Sequence, residues 1–240
     1  MRFHQERSDL AAALRLAAHF GLHEGVCNHF SYALPGEELC YLLNPHGIHW
    51  SQIRASDILL LDGQGRNLDG EGEAELTAFT IHGRLHHANA KAVCVLHTHM
   101  PQATALTCVE DGKLLPVHQN SLRFHGEVAY DPHYGGLAED AAEGDRIAAA
   151  LGDKRVLFMA HHGVIVAGES IARAFDDLYF LERACQVQLL AMSSGRPLRL
   201  IGSNRAAQTK AEMEAGGLYP EAHFQALKRL LDQINPGYGD

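Results

Sequence analysis

Two stretches of this 240-residue chain decide the prediction of its fold: Ala-Val-Cys-Val-Leu-His-Thr-His at 92–99 and Val-Leu-Phe-Met-Ala-His-His-Gly at 156–163. Each contains an apolar run of strand length that leads directly into histidines. Segments with helical spacing of apolar residues surround them, at 8–24, 74–89, 137–152, 170–194 and 221–234. We expect Ser8 to cap the first of these helices. The pattern predicts an α/β protein with three α/β/α layers and a mostly antiparallel central sheet.

The length and composition indicate one domain. With 46% hydrophobic residues, a chain of 240 residues can bury a full core. No linker rich in proline, glycine or serine and no internal repeat divides the sequence. We therefore predict a single domain over 1–240, with a C-terminal helical tail at 201–240.

The charge balance argues against nucleic acid as a partner. Lys and Arg total 20 against 29 Asp and Glu, a net charge of −9 with neutral histidines, whereas phosphate binding depends on Lys and Arg. No apolar run approaches the roughly 20 residues that span a bilayer, and the N-terminus lacks the apolar core of a signal peptide. Five cysteines, an odd number, fit free thiols better than a disulfide framework. We expect a cytoplasmic protein that binds a small molecule and has no nucleic-acid or membrane partner.

Histidine is the outlier of the composition, with 17 residues, so position must decide which of them bind a metal. Successive strand side chains point to opposite faces, and His97 and His99 would therefore share a face, about 7 Å apart. The alternative is that one of these two histidines is a hydrogen-bonded core residue and the other faces solvent. Adjacent His161 and His162 would face opposite ways, so one of the two is expected to join the site, with Gly163 allowing the backbone to turn. Three imidazoles without a further protein ligand are typical of a catalytic metal site, because positions stay open for substrate.

These histidines lie in motifs that resemble the class II aldolase/adducin family. The motifs are Ile-His-Gly-Arg-Leu at 81–85, Val-Leu-His-Thr-His at 95–99 and His-His-Gly-Val-Ile at 161–165, with further agreement at 24–31, 43–47 and 114–119. The resemblance spans about residues 8–200 in the same order. It implies an α/β/α domain and a homotetramer with active sites at subunit interfaces. It also implies one divalent metal per subunit, zinc or alternatively manganese or iron, bound by His97, His99 and His162.

The sequence departs from the sugar-phosphate aldolases of that family. Their catalytic Glu corresponds to Ala78, and two serines that help to hold phosphate correspond to Leu76-Thr77. The Asn of the family's Gly-Asn-x-Ser turn corresponds to His29, and the Thr-Gly phosphate turn corresponds to His46-Gly47. Several parts of a phosphate site are thus missing, and we expect a substrate without phosphate.

Other polar residues of the same segments are candidates for the remaining roles. Glu75 and His29 are predicted to transfer protons, and the residues predicted to bind substrate are Asn28, His46 and Gly47. The alternative is that Glu75, with Glu71 and Glu73, forms a solvated face at a helix N-terminus, where carboxylates suit the helix dipole. His29 and His46 would then be surface loop residues. His82 is expected to pack against the strand of His97.

The predicted function is that of a divalent-metal-dependent lyase that makes or breaks a carbon–carbon bond. Retro-aldol cleavage or decarboxylation of a small hydroxylated carboxylic or carbonyl substrate leaves negative charge on carbon, and a Lewis-acid metal chelated by substrate oxygens stabilises it. Two alternatives keep the same fold. One is an Fe(II)-dependent oxygenase on the same three histidines, and the other is a non-catalytic binding module like the adducin head.

Overall fold

The computed structural model describes residues 1–36, 38–70, 72–136 and 141–240. Within these residues the central element is an eight-stranded sheet in the order β4-β3-β2-β1-β5-β8-β7-β6. The strands are β1 (His29–Ala33), β2 (Cys40–Leu43), β3 (Leu59–Asp62), β4 (Asn67–Asp69), β5 (Cys94–Thr98), β6 (Val128–Asp131), β7 (Val156–Met159) and β8 (Gly163–Gly168). Only β6 and β7 are parallel among the described strands. The predicted mostly antiparallel sheet is confirmed.

Helices cover both faces of the sheet. One face carries α1 (His4–His19), α3 (Pro101–Thr107), α5 (Ile171–Met192) and α7 (Pro220–Ile234), which share a large apolar core. The other face carries α2 (Leu76–Ala88) and α4 (Ala141–Leu151), which pack on each other. Helix α6 (Ser203–Glu212) and a π-helical turn (Met213–Gly217) lead into α7. The three predicted layers are present.

Alternation along β5 explains why there is a core on each face. Val95 packs with Ile81 of α2 and Ile147 of α4, whereas Leu96 packs with Phe175 of α5. Because successive strand side chains point to opposite faces, a strand covered on both sides is apolar throughout. The apolar run that precedes His97 is therefore the mark of a strand buried on both faces.

The first helix differs from the prediction. It begins at His4 rather than at Ser8, and Ser8 lies buried inside it. Arg7 in its first turn binds the Ile58 carbonyl and the Asp69 carboxylate, so tertiary contacts order a turn that the local pattern does not mark. The helix ends early because Gly21 adopts φ 67°, and the N–H groups of Gly21 and Leu22 donate to the carbonyls of Ala18 and Ala17.

The remaining helices lie close to their predicted positions. The segment predicted at 137–152 is found as α4 from Ala141, and residues 137–140 lie outside the described residues. Ser170 caps α5, because its side chain accepts from the Arg173 N–H at 3.1 Å. None of the helices in the described part of the chain is long and apolar enough to cross a bilayer.

Candidate metal centre

Three neighbouring strands bring the predicted ligands together. His97 lies in β5, directly opposite His29 of β1 and Ile165 of β8. His99 follows the end of β5, and His162 lies in the short loop between β7 and β8. The candidate ligand atoms of His97, His99 and His162 all lie within 4.8 Å of one another. Their ring centroids are 4.8–5.0 Å apart.

The loop between β7 and β8 determines which of the adjacent histidines joins this group. Met159 pairs with Gly163, and the His162 N–H donates to the Met159 carbonyl at 3.1 Å. His161 takes the left-handed conformation with φ 57° and is exposed, whereas His162 is half-buried and faces His97 and His99. The assignment of His162 as a ligand stays a prediction until metal binding is measured.

Gly163 holds the two ligand segments close to each other. A Cβ atom at this position would lie 2.5 Å from the Thr98 carbonyl oxygen and 2.9 Å from Cδ2 of His99. Neither separation is tolerated between real atoms, so only glycine permits the β7–β8 loop to approach the end of β5 this closely. The glycine is required by this close approach.

Hydrogen bonds from behind orient two of the imidazoles. Nδ1 of His97 donates to the Val164 carbonyl at 3.0 Å, and Nδ1 of His99 donates to Oε2 of Glu24 at 2.7 Å. In a neutral imidazole with Nδ1 protonated, Nε2 carries the lone pair. Nε2 of His99 is buried and has no hydrogen-bond partner among the described residues. A buried lone pair held beside two other imidazoles fits a metal ion, and such outer contacts are usual for metal-binding histidines.

Burial and neighbouring histidines keep His97 and His162 neutral. Burial, followed by repulsion from His162 and His29, lowers the pKa of His97 well below its ordinary value. Burial and the neighbouring His99 lower the pKa of His162 to about 4. Metal ligands must be unprotonated, so at neutral pH no proton has to leave His97 or His162 before a metal binds.

A cavity of about 700 Å³ opens over the three histidines. Asn28, His29 and Glu75, which the sequence predicted for substrate binding and proton transfer, line it together with the ligands. His46 and Gly47, which were also predicted to bind substrate, are exposed and are not among the described residues that line it. The structure therefore brings together six of the eight predicted site residues: Asn28, His29, Glu75, His97, His99 and His162.

Glu75 and His29 form the polar wall of this cavity. Glu75 is the N-cap residue of α2, and its Oε2 lies 3.7 Å from Nε2 of His29, whose side chain is buried. Glu73 is exposed, as a solvated helix N-terminus would require, whereas Glu71 lies outside the described residues. Ala78 is buried in a cluster with Tyr41 and Leu59. In α2 and its N-cap, the carboxylate beside His29 thus comes from position 75 and not from position 78.

Asn28 is fixed so that its amide nitrogen is free to bind a ligand. Its Oδ1 accepts from the backbone N–H groups of Glu24 at 3.1 Å and His99 at 3.3 Å. Asn28 also has φ 85°, a conformation that asparagine tolerates better than most residues. Its Nδ2 is buried without a partner among the described residues. An unsatisfied donor that lines a cavity is a candidate contact for a substrate oxygen.

Sequence reasoning did not assign several residues of the site. Glu24 orients His99, and Thr104 lines the cavity with a buried hydroxyl that has no partner in the described chain. His82, which was expected to pack against the metal strand, is fully buried and also hydrogen-bonds to His29 at 3.1 Å. Glu24 is about 75 positions from His99, and its one signal was its place within the motif at 24–31.

Comparison with known proteins agrees with this fold. Residues 8–189 match the family described as Class II Aldolase and Adducin N-terminal domain. The structure of an aldolase II superfamily protein from Pseudomonas syringae has a TM-score of 0.90 and 34% identity, and the alignment covers 99% of this chain and 96% of that one. L-fuculose 1-phosphate aldolase from Glaciozyma antarctica has a TM-score of 0.83 and 27% identity, with 97% and 92% covered.

Rat alpha-adducin is similar over a smaller part of its own length. It is 34% identical over 95% of this chain, which corresponds to 33% of the adducin. The resemblance stated from the sequence motifs is thus confirmed. Because the family match spans most of the chain and the fold agrees over nearly its whole length, this protein belongs to the class II aldolase and adducin N-terminal domain family.

Proposed function

We propose that this protein is a divalent-metal-dependent lyase that cleaves or forms a carbon–carbon bond in a small hydroxylated carboxylic or carbonyl substrate without phosphate. The observation that carries the proposal is the convergence of His97, His99 and His162 at an open cavity, with Nε2 of His99 buried and unpaired among the described residues. A purely structural protein has no use for three convergent imidazoles in this arrangement.

The donor set suits zinc, with manganese or iron as alternatives. His97, His99 and His162 would hold the ion. A divalent cation bound there would act as a Lewis acid on substrate oxygens and would stabilise the negative charge that cleavage leaves on carbon.

The side chains of His29 and Glu75 in the cavity wall would transfer protons. The two groups lie 3.7 Å apart in the cavity lining, and the ring centroids of His29 and His97 are 5.0 Å apart. Both retro-aldol cleavage and decarboxylation require protonation of the carbon that receives the electron pair, and a positioned acid or base contributes about 10²–10⁴-fold to such a step. The solvated-face alternative does not account for the approach of Glu75 to His29.

The cavity favours a substrate that is hydroxylated and not phosphorylated. No Lys or Arg is found among the described residues that line the cavity, whereas Glu24 and Glu75 both line it. Phosphate binding uses Lys, Arg or a helix N-terminus. The N-terminus of α2 lines this cavity, but its N-cap residue Glu75 is a carboxylate that would repel a phosphate, so the lining suits hydroxyl and single carboxylate groups better. The buried Nδ2 of Asn28 and hydroxyl of Thr104 would bind substrate oxygens.

The experiment uses protein loaded with zinc, manganese or Fe(II) and a panel of short hydroxy acids and hydroxy ketones. Aldehyde release and carbon dioxide release are followed separately, and oxygen uptake is recorded in the same samples. We expect a carbon–carbon cleavage product with zinc or manganese and no oxygen uptake. Glu75→Gln and His29→Gln should each lower kcat by about 10²–10⁴-fold, whereas Glu73→Gln, an exposed carboxylate of the same segment, should leave kcat unchanged.

Two results would contradict the proposal. Product formation that consumes oxygen with Fe(II) would indicate an oxygenase. The other result is full metal occupancy with no turnover of any compound in the panel. If Glu75→Gln then binds these compounds as tightly as the wild-type protein does, a binding module like the adducin head would be favoured. His46→Ala tests the prediction that His46 binds substrate. A raised KM would support that prediction, whereas an unchanged KM would agree with the exposed position of His46 outside the described cavity lining.

The proposal extends to assembly and location. The family resemblance implies a homotetramer with sites at subunit interfaces, in a cytoplasmic protein. Tyr134 lines the cavity and is 54% exposed, so a second subunit that covers Tyr134 would also contribute to the cavity. A solution mass equal to one subunit, with full activity, would overturn this part of the proposal.

A further inference from the structure

A continuous row of hydrogen bonds runs from the metal cavity through the protein to a main-chain carbonyl. Nδ1 of His29 bonds to Nε2 of His82 at 3.1 Å, and Nδ1 of His82 bonds to the Ser31 hydroxyl at 2.5 Å. The Ser31 hydroxyl also bonds to Nε2 of His86 at 2.7 Å, and Nδ1 of His86 bonds to the Ala92 carbonyl at 2.6 Å. We call His29, His82, Ser31 and His86 the histidine relay.

The Ala92 carbonyl gives the relay one direction. A carbonyl oxygen only accepts, so Nδ1 of His86 carries the proton and its Nε2 carries the lone pair. The Ser31 hydroxyl must donate its proton to that lone pair, which leaves its oxygen to accept from Nδ1 of His82. Nε2 of His82 is then a lone pair that accepts from Nδ1 of His29. Each neutral ring has one N–H, so Nε2 of His29 is left unprotonated toward the cavity.

Burial makes this direction stable. The exposed fractions are 4% for His29, 0% for Ser31, 0% for His82 and 8% for His86, so water does not compete for these hydrogen bonds. Burial lowers the pKa of His86 to about 4 and that of His82 well below its ordinary value. Both rings therefore carry a single N–H at neutral pH, as the assignment requires. Oε2 of Glu75 lies 3.7 Å from Nε2 of His29, beyond hydrogen-bond distance, so no direct hydrogen bond to a carboxylate would offset the lost hydration of a charged ring.

We propose that Ser31, His82 and His86 are positioning residues that hold His29 in the Nδ1–H tautomer, so that its Nε2 faces the cavity as a hydrogen-bond acceptor for a substrate hydroxyl. The assignment of a hydroxyl to this place rests on the proposed function. It follows because Oε2 of Glu75, 3.7 Å from Nε2 of His29, is a second acceptor. Two adjacent acceptors fit a group that donates, which a hydroxyl does and a carbonyl or carboxylate does not.

The tautomer is tested without any substrate. Zinc-loaded protein labelled with ¹⁵N in histidine is examined at pH 7.5 by two-bond ¹H–¹⁵N correlation, which distinguishes protonated from unprotonated ring nitrogens. The signals of His29 are identified by their loss in His29→Gln. We expect a protonated Nδ1 and an unprotonated Nε2. An Nε2–H tautomer of His29 in the wild-type protein would overturn the proposal, and this result needs no variant that has to fold.

The dependence on the relay is tested with Ser31→Ala. Without the hydroxyl, His82 is free to place its proton on Nε2, and His29 should then move to the Nε2–H tautomer. Ser31→Thr keeps a hydroxyl and should restore the wild-type spectrum. His87→Gln is the matched control, because His87 is exposed on the same helix as His86 and lies outside the relay. An unchanged His29 tautomer in folded Ser31→Ala would also contradict the proposal.

The tautomer measured for His29 is independent of the lyase proposal. The expected tautomer together with no turnover of any substrate would leave the positioning role of the relay intact and would contradict the proposed function alone. If both hold, an analogue in which the relevant substrate hydroxyl is methylated should bind at least tenfold more weakly to the wild-type protein. Equal binding of the two compounds would contradict the hydroxyl assignment.

Discussion

At the scale of single residues, one carboxylate determines which nitrogen of His99 is available to a metal. Glu24 accepts from Nδ1 of His99 at 2.7 Å, and Nε2 is left as a buried lone pair. Glu24 is itself 66% exposed, so its role is to fix the orientation of the ring, and its contribution to the stability of the fold is small.

We predict that Glu24→Ala weakens zinc affinity by about 10–100-fold, because outer-shell partners of ligating histidines usually contribute this much. Competition with a chelator of known affinity measures the change. Glu73→Ala is the control, because Glu73 is an exposed carboxylate on another segment. Equal affinity of Glu24→Ala and the wild-type protein would show that Glu24 does not orient His99.

His86 should make the stability of the metal-free protein depend on pH. Burial in the folded protein lowers the pKa of His86 from the ordinary histidine value of 6.5 to about 4. Between these values the unfolded chain binds more protons than the folded one, so the free energy of unfolding falls as the pH falls from about 6.5 to about 4. This one residue contributes on the order of 3 kcal/mol to that fall.

Urea unfolding in the presence of chelator, at several pH values between about 4.5 and 7.5, measures the effect. His82 titrates in the same direction, so the comparison is between variants. His86→Gln should flatten the pH dependence, and the exposed His87→Gln should not. Parallel curves for all three proteins would contradict the assignment of a buried neutral His86.

Much of the candidate metal site was predictable at this scale, and the physical reasons differ between residues. His97 and His99 follow from the two-residue period of a strand, which needs no tertiary information. The choice of His162 over His161 needed the family resemblance, because the left-handed turn at His161 is not visible in the sequence. The contact between Ser31 and His82 depends on how α2 lies across β1, and no local pattern records that.

At the scale of elements, the site depends on how closely the β7–β8 loop approaches the end of β5. Gly163 lies where a Cβ atom would meet the Thr98 carbonyl oxygen at 2.5 Å. The sequence indicated a turn at this glycine, and the structure adds that the residue after the turn has no room for a side chain. The first helix shows the opposite case, since contacts of Arg7 extend it to His4, beyond the start that Ser8 predicted.

We predict that Gly163→Ala lowers the free energy of unfolding by about 1–3 kcal/mol, as overpacking of a close contact does, and also weakens zinc binding. Denaturant unfolding and zinc titration measure the two effects. Gly202→Ala is the control, because Gly202 has φ −62° and nothing within 4 Å of an added Cβ. A Gly163→Ala variant with wild-type stability and zinc affinity would show that the two segments can separate without cost.

At the scale of the whole molecule, the C-terminal segment is part of the core. Phe224 and Leu231 of α7 are buried in the same cluster as the residues of α1 and α5. Arg15 of α1 donates to the carbonyl of Pro236 at 2.7 Å, and the Ala55 N–H donates to the Tyr238 carbonyl at 2.8 Å. The single domain predicted over 1–240 has yet to be tested, and these contacts make it measurable.

We predict that Leu231→Ala lowers the free energy of unfolding by about 2–5 kcal/mol. The wild-type protein and this variant should each unfold in a single transition. Circular dichroism and intrinsic fluorescence, followed in the same denaturant series, should give one midpoint. Ile234→Ala on the same helix should cost much less, because Ile234 is 46% exposed. Two separate transitions, with Leu231→Ala affecting one of them only, would indicate that the segment after residue 200 is a separate unit.

The sheet order explains why residues so far apart in sequence form one site. β1, β5 and β8 are neighbours in the sheet, so His29, His97 and the loop that carries His162 meet at one end of it. The fold class was predictable because apolar periodicity reports which elements are present. The strand order was not, since periodicity carries no information about which strands are neighbours.

The central claim is that His97, His99 and His162 bind a catalytic divalent metal while His161 does not. Metal content of protein purified without chelator, followed by zinc titration of the apoprotein, tests it most directly when His162→Ala and His161→Ala are compared. We predict about one equivalent of metal per subunit in the wild-type protein and in His161→Ala, and loss of binding in His162→Ala. Retention of the metal by His162→Ala, or a wild-type protein that binds no zinc, manganese or iron, would contradict the account.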